Sequence, residues 1–207
     1  MTETPKFRRQ APDARKKDLV KATIRCLEKK GSDGLSVRSI SSEAGISVGL
    51  INHHYPSKDD LIADAYEKLA TDILQNVVDI VAETNGSPRE KMSAFFKAYF
   101  SSIVLDQKFL RIWIVFWHMS DKSEQVRLSH DKTNAGFRQQ IELMLRDLVK
   151  SSETPEFNYR LAAIGLSGML DGLWLEWCLN PDVFSPVEGL MLCEGWVDGL
   201  MAGAFKL

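Results

Sequence analysis

The chain has 207 residues, of which 44% are hydrophobic and 26% charged, so it is long enough for one sizeable core or two small domains. No apolar run is long enough to cross a bilayer, and the basic start lacks the apolar segment of a secretory signal. We therefore expect a cytoplasmic protein without a membrane partner. Residues 1 to 60 have an excess of lysine and arginine, whereas residues 61 to 207 have an excess of acidic residues, so the two parts of the chain differ in the partners that they favour.

The chain begins with a basic segment that is interrupted by Pro5 and Pro12. We interpret this segment as an N-terminal arm that is either solvated or placed along a polyanion. Its basic residues are Lys6, Arg8, Arg9, Arg15, Lys16 and Lys17. A first helix is predicted from Asp13 to Lys30, and Gly31 would end it.

The segment from Ser36 to Leu61 has the spacing of a helix-turn-helix. Ser36 is a good cap for a second helix, Gly45 stands where the chain must turn tightly, and a short third helix is predicted from about Val48 to His54. Four apolar residues are spaced to be buried between the helices, namely Ile40, Ala44, Ile46 and Ile51. The outward face would consist of Ser47, Val48, Gly49, Asn52 and His53, small or hydrogen-bonding residues of the kind that fit the major groove of DNA. An ordinary two-helix corner is the alternative.

The remaining apolar residues keep a helical period, so an all-α fold with about nine helices is predicted. A long helix from Lys58 to about Glu83, capped by Ser57, would link the two parts of the molecule. Further helices are predicted over residues 89–102, 109–118, 122–150 and 156–179, and a last one from about Pro186 to Ala204. The three cysteines, Cys26, Cys178 and Cys193, lack metal-ligand spacing, and we interpret them as buried apolar residues rather than as a thiol sensor.

The run Asn52-His53-His54-Tyr55, followed by Lys58, resembles the end of the recognition helix in the TetR family of repressors. Asn52 departs from that pattern, because many members carry tyrosine there for a phosphate contact. The resemblance implies a three-helix DNA-binding domain over residues 1–57 and a helical effector-binding and dimerisation domain over 58–207. It also implies a DNA contact for Arg38. The complete set of expected DNA-binding residues is Ser36, Arg38, Ser47, Val48, Gly49, Asn52, His53, His54 and Lys58.

Residues 109–118 and 168–189 resemble the narrower group of BetI-type repressors, which respond to choline and control glycine-betaine synthesis. A quaternary ammonium ion cannot donate hydrogen bonds and binds best to aromatic faces beside a carboxylate. Asp171 or Glu176 would supply the charge, although Asp171 could equally pair with an arginine or a helix end. The aromatic faces would come from Trp113, Phe116, Trp117, Trp174 and Trp177, although aromatic residues at helical spacing are also typical of a core.

The last two helices are apolar on more than one side, which indicates either a well-packed core or a second subunit. A homodimer would place two recognition helices about 34 to 36 Å apart, on successive major grooves of a pseudo-palindromic operator. No nucleophile with its base, metal cluster or phosphate loop is present, so we expect neither catalysis nor a cofactor. The sequence therefore predicts a ligand-responsive repressor of betaine synthesis. The alternatives are a repressor of another pathway with a different hydrophobic or cationic ligand, and a helical protein-binding adaptor.

Overall fold

The computed structural model describes residues 12–150 and 157–204 of the chain. These residues form an all-α fold, which confirms the predicted fold class. A short 3₁₀ helix at Gly31–Gly34 accompanies nine α-helices over the described ranges. The α-helices are α1 (Pro12–Lys30), α2 (Val37–Ala44), α3 (Val48–His54), α4 (Lys58–Glu83), α5 (Pro88–Tyr99), α6 (Gln107–Ser120), α7 (Glu124–Lys150), α8 (Tyr159–Leu179) and α9 (Pro186–Met201).

Local signals explain where α2, α3 and α4 begin and end. The Ser36 hydroxyl accepts a hydrogen bond from the backbone N–H of Ser39 at 3.0 Å, and the Ser57 hydroxyl accepts one from Asp60 at 3.1 Å. Gly45 ends α2 with a φ of 65°, a left-handed conformation that favours glycine. The helix-turn-helix therefore has the boundaries that its sequence predicts.

One helix start differs from the sequence prediction by several residues. Helix α8 begins at Tyr159 rather than at residue 156, because the Asn158 side chain accepts a hydrogen bond from the backbone N–H of Leu161 at 3.1 Å. Such an asparagine cap fixes the first turn of the helix. Residues 151–156, which include part of the predicted helix, lie outside the described residues.

The buried apolar side chains form two clusters. The head cluster joins α1, α2 and α3 to the first half of α4 and to α6, and includes Leu19, Ile40, Ile51, Leu61, Tyr66, Ile112 and Phe116. The sensor cluster joins the second half of α4 to α5, α7, α8 and α9, and includes Val77, Phe96, Ile141, Leu145, Leu166 and Trp174. Because α4 contributes to both clusters, it connects the two parts of the molecule as predicted.

Helix α6 makes a second connection, which the sequence did not indicate. Ile112, Val115 and Phe116 are buried in the head cluster, whereas Trp113 is half-buried and packs against both clusters. The expected division between residues 57 and 58 thus falls inside the head cluster, whose core continues into α4 and α6. A change in the position of α6 would therefore act directly on α1 and, through the shared core, on α2 and α3.

The three cysteines, at positions 26, 178 and 193, are buried and free. Burial raises the pKa of the Cys178 thiol to about 11 and that of the Cys193 thiol to about 12, so both thiols stay protonated at neutral pH. This agrees with their interpretation as small apolar residues, because the reactive form of cysteine is the thiolate. No helix in the described parts of the chain combines the length and apolarity that a membrane crossing requires.

Candidate DNA-binding surface and effector cavity

Helix α3 presents the outward face that the sequence predicts. Ile51 is buried toward α1 and α2, while Gly49, Asn52 and His53 are exposed. Val48 is also exposed, which leaves its side chain available to a partner. Ser47 precedes the first residue of α3, but its hydroxyl makes no capping hydrogen bond. A free hydroxyl, an amide and an imidazole therefore stand together on one short helix.

The other expected DNA-binding residues lie where neighbouring helices begin. Arg38, in the first turn of α2, and Lys58, at the start of α4, are both exposed. The Ser36 hydroxyl donates to Ser39 Oγ at 2.8 Å while it caps α2, so its hydrogen bonds are already used within the protein. The free backbone N–H groups of a helix start favour phosphate, and the two basic side chains strengthen that preference.

Positive charge from α1 also reaches this surface. The pKa of His54 is lowered, first by its partial burial and then by the positive charges of His53, Lys16 and Arg15. The Lys16 ammonium group lies 5.2 Å from the ring centroid of Tyr55, just beyond α3. Arg15, Lys16 and Lys17 belong both to the basic N-terminal segment and to the predicted first helix, and they lie in α1. The other three basic residues of that arm, at positions 6, 8 and 9, lie outside the described residues.

A cavity of about 430 Å³ lies among α4, α6, α7 and α8. Four of the six residues expected to bind an effector line it, namely Trp113, Trp117, Asp171 and Trp174. The two tryptophans of α6 are four residues apart, and Asp171 and Trp174 of α8 are three apart, so each pair shares one face of its helix. Helical spacing therefore brings these four side chains to one space.

Phe116 and Trp177 do not line this cavity, which corrects the sequence interpretation. Phe116 is fully buried in the head cluster, where its ring centroid lies 4.9 Å from that of Tyr66. Trp177 packs half-buried against the sensor cluster. Both residues are three positions beyond a lining tryptophan, so helical spacing alone would not exclude them from the cavity. The side chains that they pack against decide their positions. Glu176, the alternative carboxylate, is exposed and does not line the cavity.

Asp171 presents a carboxylate to the cavity. The Tyr99 hydroxyl lies 3.5 Å from Asp171 Oδ1 and donates a hydrogen bond to it. Asp171 is reached by water through the cavity, but the surrounding protein reduces the hydration of its carboxyl and thereby raises its pKa. Tyr99, Arg138 and His130 lower this pKa by a smaller amount. Within the described ranges, no lysine or arginine lies at ion-pair distance from this carboxylate. A cationic ligand would therefore meet a negative charge without a bound counterion.

The tryptophan rings that line the cavity together with Asp171 are held by other contacts. The Trp174 indole N–H donates to the backbone carbonyl of Val104 at 3.0 Å, and the Trp117 and Trp174 ring centroids are 6.3 Å apart in an edge-to-face arrangement. Trp113 meets Tyr66 edge to face at 5.3 Å. Fixed aromatic faces beside a carboxylate are the groups that bind a quaternary ammonium ion.

The sequence interpretation missed a set of polar residues in the same cavity. Burial raises the pKa of Tyr66 to about 12 and that of Tyr99 well above its ordinary value, so both phenols are neutral at physiological pH. On α7, His130, Thr133 and Asn134 also line the cavity. Their spacing of three and four residues places them on one helix face. This spacing is visible in the sequence, but the sequence does not show that this face of α7 meets the same cavity as α6 and α8.

Two family models match the chain and together cover most of it. The model of bacterial regulatory proteins of the tetR family matches residues 19–65, and the model of the BetI-type transcriptional repressor C-terminal domain matches residues 88–202. The chain belongs to the TetR family. Its C-terminal domain is of the BetI type, which confirms the resemblance found in residues 109–118 and 168–189.

Individual relatives agree with this membership. The HTH-type transcriptional regulator BetI of Burkholderia thailandensis is 27% identical over 191 residues, which cover 92% of this chain and 95% of the relative. The crystal structure of a proposed transcriptional regulator from Pseudomonas aeruginosa PAO1 is 43% identical, with a TM-score of 0.88 and 96% of each chain covered. These TetR-family relatives are transcriptional regulators rather than enzymes, which confirms the sequence prediction.

A third structure has the same fold at low sequence identity. It is that of a regulator from Saccharomonospora viridis in complex with choline, and it is 18% identical, with a TM-score of 0.75 and coverage of 91% of this chain and 97% of the other. At this identity the likeness concerns the fold alone.

Proposed function

We propose that this TetR-family regulator is a homodimeric repressor that binds a pseudo-palindromic operator and responds to a quaternary ammonium ion such as choline. Its regulated pathway would then be the synthesis of glycine betaine. The observation that carries the proposal is the position of Asp171 among Trp113, Trp117 and Trp174 in one cavity. The BetI relatives and the choline complex of a protein with the same fold support this choice of ligand.

Exposed apolar side chains on the last two helices support a homodimer. Val187 and Met191 of α9 are each 63% exposed, and Leu161 and Ile164 of α8 are 42% and 43% exposed. The spacing within each pair is three or four residues, so each pair forms a stripe on its helix. Burial of such stripes against a second copy would remove apolar surface from water and fix the distance between two recognition helices.

The link between ligand and operator would run through α4 and α6. Helix α4 begins with Lys58 near the DNA-binding surface, and its Tyr66 lines the cavity two turns later. Helix α6 presents Trp113 and Trp117 to the cavity and Phe116 to the head cluster. A ligand that moves either helix would shift the recognition helices, so operator and ligand would favour different conformers.

A different hydrophobic or cationic ligand is the second candidate. The volume of about 430 Å³ lies within the range of about 300 to 1,000 Å³ that is typical of drug-sized ligands, and choline would fill only part of it.

Reciprocal binding tests the proposed function. Choline should weaken operator binding by some factor, and saturating operator should weaken choline binding by the same factor, because the two effects share one coupling free energy. Calorimetric titration of the protein with choline, with and without an operator duplex, measures both. Operator affinity should also fall steeply as the salt concentration rises. A protein-binding adaptor would not show such salt-dependent binding to DNA. Independent binding of the two ligands would contradict the switch.

Choline affinity should rise as pH increases through the raised pKa of Asp171 and then reach a plateau. Below that pKa the carboxyl is neutral and its attraction for the cation is lost. His130 and Arg138 also face Asp171. Tyr66 and Tyr99 stay neutral across this range, because burial raises their pKa values. Titration with choline from about pH 4 to pH 8, a range that begins at the ordinary aspartate pKa of about 3.9 and extends above it, checks the direction. A falling affinity would contradict it.

A further inference from the structure

The cavity is longer than a trimethylammonium group requires. Seven residues of α4 line it, namely Tyr66, Glu67, Ala70, Thr71, Ile73, Leu74 and Val77. A helix rises about 1.5 Å per residue, so the lining from Tyr66 to Val77 is about 16 Å long. Choline placed beside Asp171 would leave much of this length without a ligand.

Helices α4 and α7 run side by side in the same direction along the cavity. Lys132 of α7 forms an ion pair with Glu67 of α4 at the cavity's edge. Farther along both helices, Val81 and Met144 line one common groove on the surface. Later residues of α4 therefore face later residues of α7, which gives the cavity two distinct ends.

The two ends differ in chemistry. The first end carries the polar groups: the ring centroids of Tyr66 and His130 are 5.9 Å apart, and Thr133 and Asn134 follow on the same face of α7. Asp171 stands where this polar end meets the apolar end: it accepts a hydrogen bond from Tyr99, whose ring centroid is 6.1 Å from that of Phe137, and His130 also acts on its carboxyl.

The second end is apolar. It is lined by Ile73, Leu74 and Val77 of α4 and by Phe137 of α7, none of which has a side-chain hydrogen-bonding group. Val77 is 3% exposed, and the other three are half-buried. A ligand that fits both ends has a cationic head and a hydrocarbon extension.

We propose that the effector is an amphiphilic quaternary ammonium ion, whose head binds beside Asp171 and whose hydrocarbon chain lies between α4 and α7 at Leu74, Val77 and Phe137. This inference rests on the proposed function and names its ligand class more closely. Each methylene that enters the apolar end should tighten binding about three- to fourfold, because its surface is removed from water. The increase should stop when the chain reaches the end of the cavity.

A chain-length series tests the proposal. Calorimetric titration with choline and with alkyltrimethylammonium ions from ethyl to octyl, all below their critical micelle concentrations, should show affinity that rises with length and then levels. Leu74→Phe and Val77→Phe place a larger side chain in the apolar end. Both variants should shift the plateau to shorter chains and leave choline affinity within about twofold of the parent, because the head lies elsewhere.

Ile80→Phe is the matched control, because Ile80 lies on the same helix, is 39% exposed and does not line the cavity. This variant should keep the parent's chain-length profile. Choline affinity and a thermal melt check that each variant is folded. If Val77→Phe unfolds, Leu74→Phe still provides the test, because Leu74 is only half-buried.

The outcomes separate the two proposals. If choline and octyltrimethylammonium bind equally, or if neither cavity variant moves the plateau, the apolar end does not hold a chain and this inference is wrong while the proposed function stands. If no ammonium ion binds at all, or if octanol binds as tightly as octyltrimethylammonium, the cationic ligand of the proposed function is wrong.

Discussion

Replacing Asp171 with asparagine should weaken choline binding by about tenfold to a hundredfold while the protein stays folded. Two opposite charges about 4 Å apart attract by about 4 kcal/mol at an effective dielectric constant of about 20, and water in the cavity reduces this value. Asparagine keeps the size of the side chain and can still accept the hydrogen bond from Tyr99. The loss would therefore report the charge rather than the packing. Tryptophan fluorescence and calorimetry with choline measure it.

Asp131→Asn is the control for this substitution. Its side chain is 59% exposed, lies beside His130 on α7 and does not line the cavity. It removes one negative charge from the same region, so its effect on choline binding should be within about twofold, as expected for a screened surface charge. Equal losses in the two variants would show that general electrostatics, and not a specific carboxylate, attracts the ligand. An unchanged affinity in Asp171→Asn would remove the proposed cation site.

Replacing Phe116 with alanine should lower the free energy of unfolding by about 3 to 5 kcal/mol, because it leaves a cavity in a fully buried aromatic site. Phe116 is 0% exposed and contacts Tyr66 in the head cluster. Urea denaturation at a fixed protein concentration measures the change, since the stability of a dimer depends on concentration. Operator affinity should also fall, because the core beneath the recognition helix is disturbed.

Ile114→Ala, on the same helix, provides the comparison. Ile114 is 49% exposed, so its truncation should change stability by no more than about 0.5 kcal/mol. Choline affinity of Ile114→Ala should stay within about threefold of the parent, because Ile114 does not line the cavity. Phe116→Ala should weaken choline binding only through its packing against Trp113 and Tyr66, so its loss of choline affinity should accompany its loss of stability. A large loss of choline affinity in Phe116→Ala with little loss of stability would instead return Phe116 to the effector site, as the sequence first suggested.

The outward face of the helix-turn-helix, which is the candidate DNA-binding surface, was largely predictable from the sequence because its determinants are local. Ser36 and Ser57 cap helices through atoms three residues away, and Gly45 turns the chain because its own φ is positive. With those boundaries set, helical periodicity alone decides that Ile51 is buried and that Asn52 faces outward.

The candidate effector cavity was only partly predictable, because its composition depends on which helices become neighbours. The spacing on α6 and α8 correctly grouped Trp113 with Trp117 and Asp171 with Trp174. Periodicity gives the relative direction of side chains on one helix, but it does not say which neighbour each face will meet. Phe116 was for this reason expected in the cavity, although it lies in the head cluster.

The sequence by itself determined the helices of this protein, their caps, the helix-turn-helix and the family, because each of these depends on residues close together in the chain. Tertiary structure alone decided that α6 belongs to both clusters, that Lys16 of α1 stands beside α3, and that polar and apolar ends of one cavity lie along α4. These features arise from packing between helices distant in sequence. Their physical cause is the burial of helix faces against one another. Periodicity is compatible with several pairings of these faces, and only the folded chain shows which pairing forms.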